Sequence, residues 1–329
     1  MTTHAIHRDK QTGKSLWADA WSRLRHNRLA MFCLLVVILY TGVAMYGEIV
    51  YRWHQWHDVT PPYQRTNMEL QYLPPSFLLS PFAVDDGEEV SSLKQAVTGI
   101  SNLMRHPLGT DGLGRDVFQR MIQGTRIAYM VGIVTSLIAL PIGVVLGCMA
   151  GYFGRRVDDF IVWIYTTFAS IPGLLFILAI AMVVGQGLLG VYLGIGLTMW
   201  VGLCRLIRGE VIKHKERPYV TAAHALGLGH FRIIFRHILP NVFHVVIVSF
   251  TLFFPAAIST EVFLSFLGIG VEGEPSWGIM ISNARLRLWH GIWWEMAAAT
   301  TALFFIVLAF NLLGDAIRDA LDPRLRTGK

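Results

Sequence analysis

The chain reads as an all-α integral membrane protein with six transmembrane helices. Three observations predict this. Only 15% of its 329 residues are charged, and 53% are hydrophobic, with a mean hydropathy of +0.48; a soluble domain carries about 25% charged residues. Six apolar runs approach the roughly 20 residues a helix needs to cross a hydrocarbon core. The basic residues are sorted between alternate connecting segments, as chain topology in a bilayer requires.

The elements follow in order. Residues 1–28 form a basic lead. The first run, 29–47, carries no charge; it lies too far into the chain and is too long for a cleaved leader, so it reads as a retained span, 29–48. Residues 49–126 form a long segment that opens on the aromatic stretch YRWHQWHDVTPPY, an interfacial belt followed by a loop, and contains a solvated acidic patch at Asp85, Asp86, Glu88 and Glu89. Five further spans make a core over 127–315. They are 127–149, 160–184, the shorter 188–204 ended by Arg205, 242–259 with a continuation toward Gly270, and 296–314. Pro141, Pro172 and Pro255 interrupt three of them, which is tolerated where neighbours or water satisfy the freed backbone groups. Residues 316–329 are a tail. Cys33, Cys148 and Cys204 all fall in apolar runs, where they pack or face lipid and make no disulfide framework.

Six spans put both termini on one side. Segments 1–28, 150–159, 204–241 and 315–329 hold 19 of the 28 Lys and Arg residues, and the opposite segments hold 9, so both termini are expected in the cytoplasm. Topology therefore accounts for the net charge of +6, and nucleic acid is not needed as a partner.

The one long basic segment, 204–241, contains TAAHALGLGHFRIIFRHILPN. Pro218 suits the first turn of a helix. Tyr219 to Leu226 favours helix, Gly227 and Gly229 break it, and Phe231, Ile234, Phe235 and Ile238 resume helical spacing until Pro240 and Asn241 close it. The expectation is a helix–turn–helix over 209–240 lying at the membrane surface. On the residues alone it is either an amphipathic connector at the headgroups or, given the small Ala222 and Ala223, a contact for another chain.

Three other sites call for a reading. GTDGLGRD, residues 109–116, lacks the Gly-Lys-Ser/Thr ending of a phosphate loop, so its glycines and Asp111 build a turn, and Arg115 and Asp116 pair locally or start a helix. His54 and His57 have a spacing that a metal accepts, but no Cys accompanies them, so no metal site is assigned. Glu261 is the one acid in an extended apolar run. It either lines a polar path or caps the end of the fifth span. No set of buried carboxylates suits a proton-driven transporter, and no catalytic cluster suits a membrane enzyme.

Residues 221–240 resemble the coupling loop of permease subunits of ATP-binding-cassette importers, whose pattern is E-A-A, three residues, Gly, nine residues, I-x-L-P. Ala222, Ala223, Gly227, Leu239 and Pro240 match; Thr221 stands where Glu is usual, and His237 where Ile is common, as in the peptide-transporting branch. SLWADAWSRLRHNRLA, HPLGTDGLGRDVFQRMIQGTRIAYMVG, FLSFLGIGVEGEPSWGIMISNAR and FNLLGDAIRDALDPRLR resemble successive segments of the oligopeptide/dipeptide/nickel permeases, closest to the oligopeptide C-type subunit. The resemblance implies a type I importer permease fold in a bacterial inner membrane. It implies that Tyr219, Thr221, Ala222, Ala223, Leu226, Gly227, Leu228 and Gly229 couple to an ATPase, that Asp111, Arg115 and Asp116 lie where a solute-binding protein docks, and that Glu261 is a candidate for the translocation path. The implied partners are a homologous second permease, two ATPase subunits that hold ATP and Mg, a periplasmic or extracellular solute-binding protein, and lipid. This chain has no P-loop and so is not expected to hydrolyse ATP alone; it reads as a non-catalytic membrane subunit. The substrate reading is a peptide. Nickel or another small solute is the alternative within the family, and a secondary transporter is the alternative outside it.

Overall fold

The computed structural model describes residues 16–75, 106–271 and 273–321. The acidic patch at 85–89, the first fifteen residues of the lead and the end of the tail lie outside the described residues. Among the described residues the fold is helical throughout, apart from a single antiparallel bridge between Thr110 and Asp116.

A short helix, α1 (Leu16–His26), precedes the first span, α2 (Arg28–Trp56). The Asn27 side chain caps α2, accepting from the amides of Leu29 and Ala30 at 3.1 and 3.2 Å. The helix runs well past the expected end at Gly47, so the aromatic stretch 51–56 is helical. No Gly or Pro stops it before Pro61, and Glu48 and Arg52 form an i,i+4 pair at 2.5 Å.

The second span, α3 (Val117–Phe153), likewise starts ten residues earlier than its apolar run. Asp116 caps it, accepting from the Gln119 amide at 3.0 Å. The polar residues that hid this first part are buried: Gln123 donates to the Gly47 carbonyl at 3.1 Å, and Arg126 finds two carboxylates. Pro141 lies inside α3 without ending it.

The third run is not one straight helix. It forms α4 (Arg155–Ser170) and α5 (Gly173–Val184), bent by 90° at Ile171-Pro172. Proline removes a donor and pushes its predecessor out of the helical region; Ile171 accordingly has an extended backbone. The fourth span, α6 (Leu188–Lys215), continues beyond Arg205 through a basic last turn. A short helix, α7 (Pro218–Ala225), follows. The next segment, α8 (His230–Phe266), is continuous. Pro240 and Asn241 therefore do not close a separate helix, contrary to the sequence expectation. Residues Ile234–Ile238 form a π-helical stretch, in which the Leu239 amide reaches back to the Ile234 carbonyl. This wide turn accommodates Pro240, and the Asn241 side chain donates to the His237 carbonyl at 2.6 Å. A short α9 (Trp277–Ala284) and the last span, α10 (Trp294–Leu321), complete the fold.

The tightest seam joins α3 and α6. Gly143, Gly147 and Gly151 fall on one face of α3. A Cβ built on them would come within 2.9, 2.8 and 2.8 Å of the carbonyl oxygens of Trp200, Cys204 and Arg208. Small residues at this spacing let two helix backbones approach inside a bilayer, where apolar surface alone gives no preference for helix over lipid. Around the seam sit two apolar clusters. One, toward the basic end, holds Leu203, Ile207, Val211, Val220, Ile233 and Ile238. The other holds Tyr129, Phe254, Trp277 and Phe310, with the Phe254 and Phe310 rings stacked at 4.2 Å. By contrast α2 turns Phe32, Leu35, Ile38 and Met45 outward, a continuous apolar surface suited to lipid.

Candidate functional site

The basic end carries a helical hairpin built on a local rule. After α6, Pro218 occupies the first turn of α7, where its missing amide costs nothing. Helix α7 ends in a Schellman motif: Gly227 takes φ +75°, its amide donates to the His224 carbonyl at 2.9 Å, and Leu228 donates to the Ala223 carbonyl at 3.2 Å. An L side chain resists that φ, so the sequence needs Gly here, although open space surrounds its Cα.

The eight residues expected in coupling divide by burial. Ala223 turns inward with Val220 onto Val211, Ile233 and Ile238, and Leu228 packs against the same cluster. Ala223 thus fixes the hairpin to its own chain, and only Ala222 of the small pair is free for another chain to approach. Tyr219 is half-buried, its hydroxyl 2.8 Å from His214 Nδ1. Burial holds this phenol above its usual pKa against the pull of the Arg217 charge, so it stays protonated at neutral pH. Thr221, Ala222, Leu226, Gly227 and Gly229 are exposed. Leu226 is 80% exposed and Phe231 63%, with Arg232 and Arg236 exposed beside the second limb. An apolar knob with a basic surround fits a protein cleft with an acidic rim.

A contact invisible in the sequence links the hairpin to the core. The Tyr152 hydroxyl, at the end of α3, lies 3.1 Å from His224 Nε2 and 3.0 Å from His230 Nδ1, so one phenol joins both limbs. The residues are 72 and 78 positions apart, and no local spacing signals them. Tyr152→Phe is expected to leave the fold intact and loosen the hairpin by about 1 kcal/mol, the worth of such a bond. Faster amide exchange over 218–233, with exchange elsewhere unchanged, would show it.

At the opposite end, residues 109–116 form the turn that the sequence suggested. Asp111 is 2% exposed. Its carboxylate accepts from the amides of Leu113 and Arg115, both at 2.9 Å, and from Arg115 Nε at 2.8 Å. Asp116 caps α3 and meets His106 Nδ1 at 2.7 Å. Thr110 accepts from the Leu73 amide at 2.8 Å and donates to the Leu70 carbonyl, and Trp294 Nε1 donates to the Thr110 carbonyl at 2.9 Å. Both carboxylates are consumed by their own loop. Of the three residues expected as docking contacts, only Arg115 is partly exposed.

Glu261 is 1% exposed. Ser265 donates to it at 2.7 Å, and the Ser276 side chain bonds it as well. Ser265 Oγ in turn accepts from the Val271 amide at 3.2 Å. The carboxylate thus ties the turn after α8 back onto that helix. Glu261 thus lies near the end of the fifth span, enclosed by this chain's own packing.

A second ionic node fastens this end. Arg126 reaches Glu48 at 2.6 Å and Glu274 at 2.5 Å, and its guanidinium lies 3.5 Å from the Tyr51 ring centroid. Burial, with the Glu274 charge adding to it, pushes the nearby Tyr63 phenol up to about 12. Arg126→Ala leaves Glu274 without its counter-charge, whereas Glu48 keeps Arg52, and is expected to cost about 3 kcal/mol. Glu274→Gln in the same chain should recover part of the loss in thermal unfolding.

His54 and His57 turn Nδ1 to the carbonyls of Val50 and Trp53, each at 2.8 Å. Among the described residues no group of three or more His, Cys, Asp or Glu side chains is placed to hold a metal.

Comparison with known proteins gives a consistent set of relatives. The family described as binding-protein-dependent transport system inner membrane component matches residues 143–327. The N-terminal TM domain of oligopeptide transport permease C matches 15–75. The dipeptide transport system permease protein of Bacillus subtilis is 36% identical over 96% of this chain and 88% of its own length. The oligopeptide transport system permease proteins of Bacillus subtilis and Escherichia coli K12 are each 33% identical over 95% of this chain, covering 91% and 93% of their own lengths.

Proposed function

We propose, from the premise that this chain belongs to the family of binding-protein-dependent transport system inner membrane components, that it forms half of the passage through which an ATP-driven importer carries peptides across a bacterial inner membrane. The observation that carries this reading is its kinship, along nearly its whole length, with proteins named for dipeptide and oligopeptide transport. Those names favour peptides over nickel.

The passage is completed by a homologous second permease. Two ATPase subunits, which hold ATP and Mg, bind on the cytoplasmic side, and a solute-binding protein delivers the peptide from outside. The basic end is cytoplasmic, and its hairpin is the contact with an ATPase. The exposed Leu226 enters the ATPase cleft beside Thr221 and Ala222, Gly227 sets the turn, and Ala223, Leu228 and Tyr219 hold the hairpin to the core. Closure of the ATPase pair moves the hairpin, and α8 carries the movement into the bilayer. On the outside, Arg115 and the surface around the 109–116 turn receive the binding protein, with Asp111 and Asp116 keeping that turn in shape.

The test is recovery of this chain from its native membranes in mild detergent, with identification of every protein that accompanies it. A second permease and P-loop ATPases are the expected companions. Recovery as a homo-oligomer with no ATPase, under conditions that preserve other such complexes, would overturn the reading in favour of a secondary transporter.

A further inference from the structure

The bend between α4 and α5 is exposed where a bilayer should not tolerate it. Residues 169–175, Ala-Ser-Ile-Pro-Gly-Leu-Leu, are all exposed. The chain leaves the helix there and turns by 90°. Its depth follows from the packing. Phe168 meets Trp200 at 5.6 Å between ring centroids and Phe176 at 5.3 Å. Trp200 lies about 18 Å along α6 from Leu188 at 1.5 Å per residue, close to the middle of a hydrocarbon core about 30 Å thick.

A broken helix leaves backbone groups open at both of its ends. The Ile171 amide reaches the Phe168 carbonyl at 3.3 Å, the Phe176 amide reaches the Pro172 carbonyl at 3.1 Å, and Ser170 Oγ donates to the Thr167 carbonyl at 2.7 Å. Among the described residues the amides of Gly173, Leu174 and Leu175 and the carbonyls of Ala169 and Ser170 have no such partner. The exposed Thr166 and Thr167 add two hydroxyls to the same stretch of α4. This surface is unlike the regular, wholly apolar face of α2. Lipid cannot cover it, because irregular backbone survives at membrane depth only inside protein or beside water.

We infer that the 169–175 corner lines the water-filled passage and offers its open amides and carbonyls to the backbone of the transported peptide. The peptide identity rests on the proposed function; the position of the passage does not. Every peptide carries the complementary amide and carbonyl groups, so the corner would recognise its cargo without reading sequence.

The three native cysteines are buried, so the chain serves as its own background for labelling. In the full complex in membranes, Ser170→Cys, Gly173→Cys and Leu174→Cys are treated with a charged, membrane-impermeant methanethiosulfonate, with Leu35→Cys and Ile38→Cys as controls. Gly173 meets nothing within 4 Å, so its variant introduces no clash. The corner variants should react roughly tenfold faster or more than the controls in at least one of the nucleotide-free and ATP-trapped states, because the reactive thiolate forms only where water reaches. Labelling should stop uptake, and added peptide should slow labelling. Blocked uptake without peptide protection would uphold the passage and sink the peptide assignment instead. Reaction no faster than the controls in both states, or labelling that leaves uptake untouched, would overturn the inference.

Discussion

Gly227→Arg is expected to reach the membrane in normal amount and to reduce peptide uptake to background. Two effects coincide at this position. The backbone holds φ at +75°, which costs an L residue about 1–2 kcal/mol, too little to unfold the protein. The Cα faces open space on the exposed side of the hairpin, so a long cation would stand on the face proposed for the ATPase contact. Gly227→Asn separates the two effects, since Asn tolerates the left-handed region. It should retain most of the uptake. Parallel uptake and membrane-abundance measurements on the three forms check this, and full uptake by the Arg variant would remove the hairpin from the coupling role.

The second large effect is expected in the seam between α3 and α6. Gly147→Leu forces a branched side chain against the Cys204 carbonyl and the Ile207 Cβ, where even a methyl carbon would lie 2.8 and 2.9 Å away. Overpacking on this scale is expected to cost on the order of 3 kcal/mol or more, because the obstacle is backbone and cannot rotate aside. Thermal unfolding in detergent should show a lower midpoint and a smaller folded yield. Gly202→Leu, on the facing helix where a Cβ meets nothing within 4 Å, should leave both unchanged. Equal damage at the two sites would refute the close-approach account.

The apolar runs announced five helices long enough to cross a membrane and the bent pair that makes a sixth when counted as one span, because crossing length leaves a strong signature in the sequence. Their ends were less legible. The first part of α3 was masked by Arg120, Gln123 and Arg126, residues that look solvated in sequence and are buried in the fold because Gly47, Glu48 and Glu274 meet two of them from other elements. Pro172 was legible as an interruption, but the 90° turn was not, since a proline kink and a full corner share the same letters. Pro240 looked like a stop and is carried through a π-helical stretch, whose widened turn has no sequence code. In the hairpin, Gly227 was readable from local chemistry alone. The division between Ala222 outside and Ala223 inside needed the neighbouring helices. The three glycines of the seam stand at regular intervals in the sequence and were there to be found; the Tyr152 contact with His224 and His230 was not.

The unbroken segment from His230 to Phe266 has a mechanical consequence. At 1.5 Å per residue it is about 55 Å long, with one end in the basic hairpin and the other at the turn that Glu261 and Ser265 secure. A rod of that length amplifies angle into distance: a tilt of about 5° about one end displaces the other by roughly 5 Å, close to one helical pitch. Under the proposed coupling, small strokes at the hairpin would thus be enough to shift the far end of the rod by several ångströms, and the gain would be set by the rod's length. Shortening it by four residues would lower that gain, and would also rotate everything beyond the deletion by about 40°.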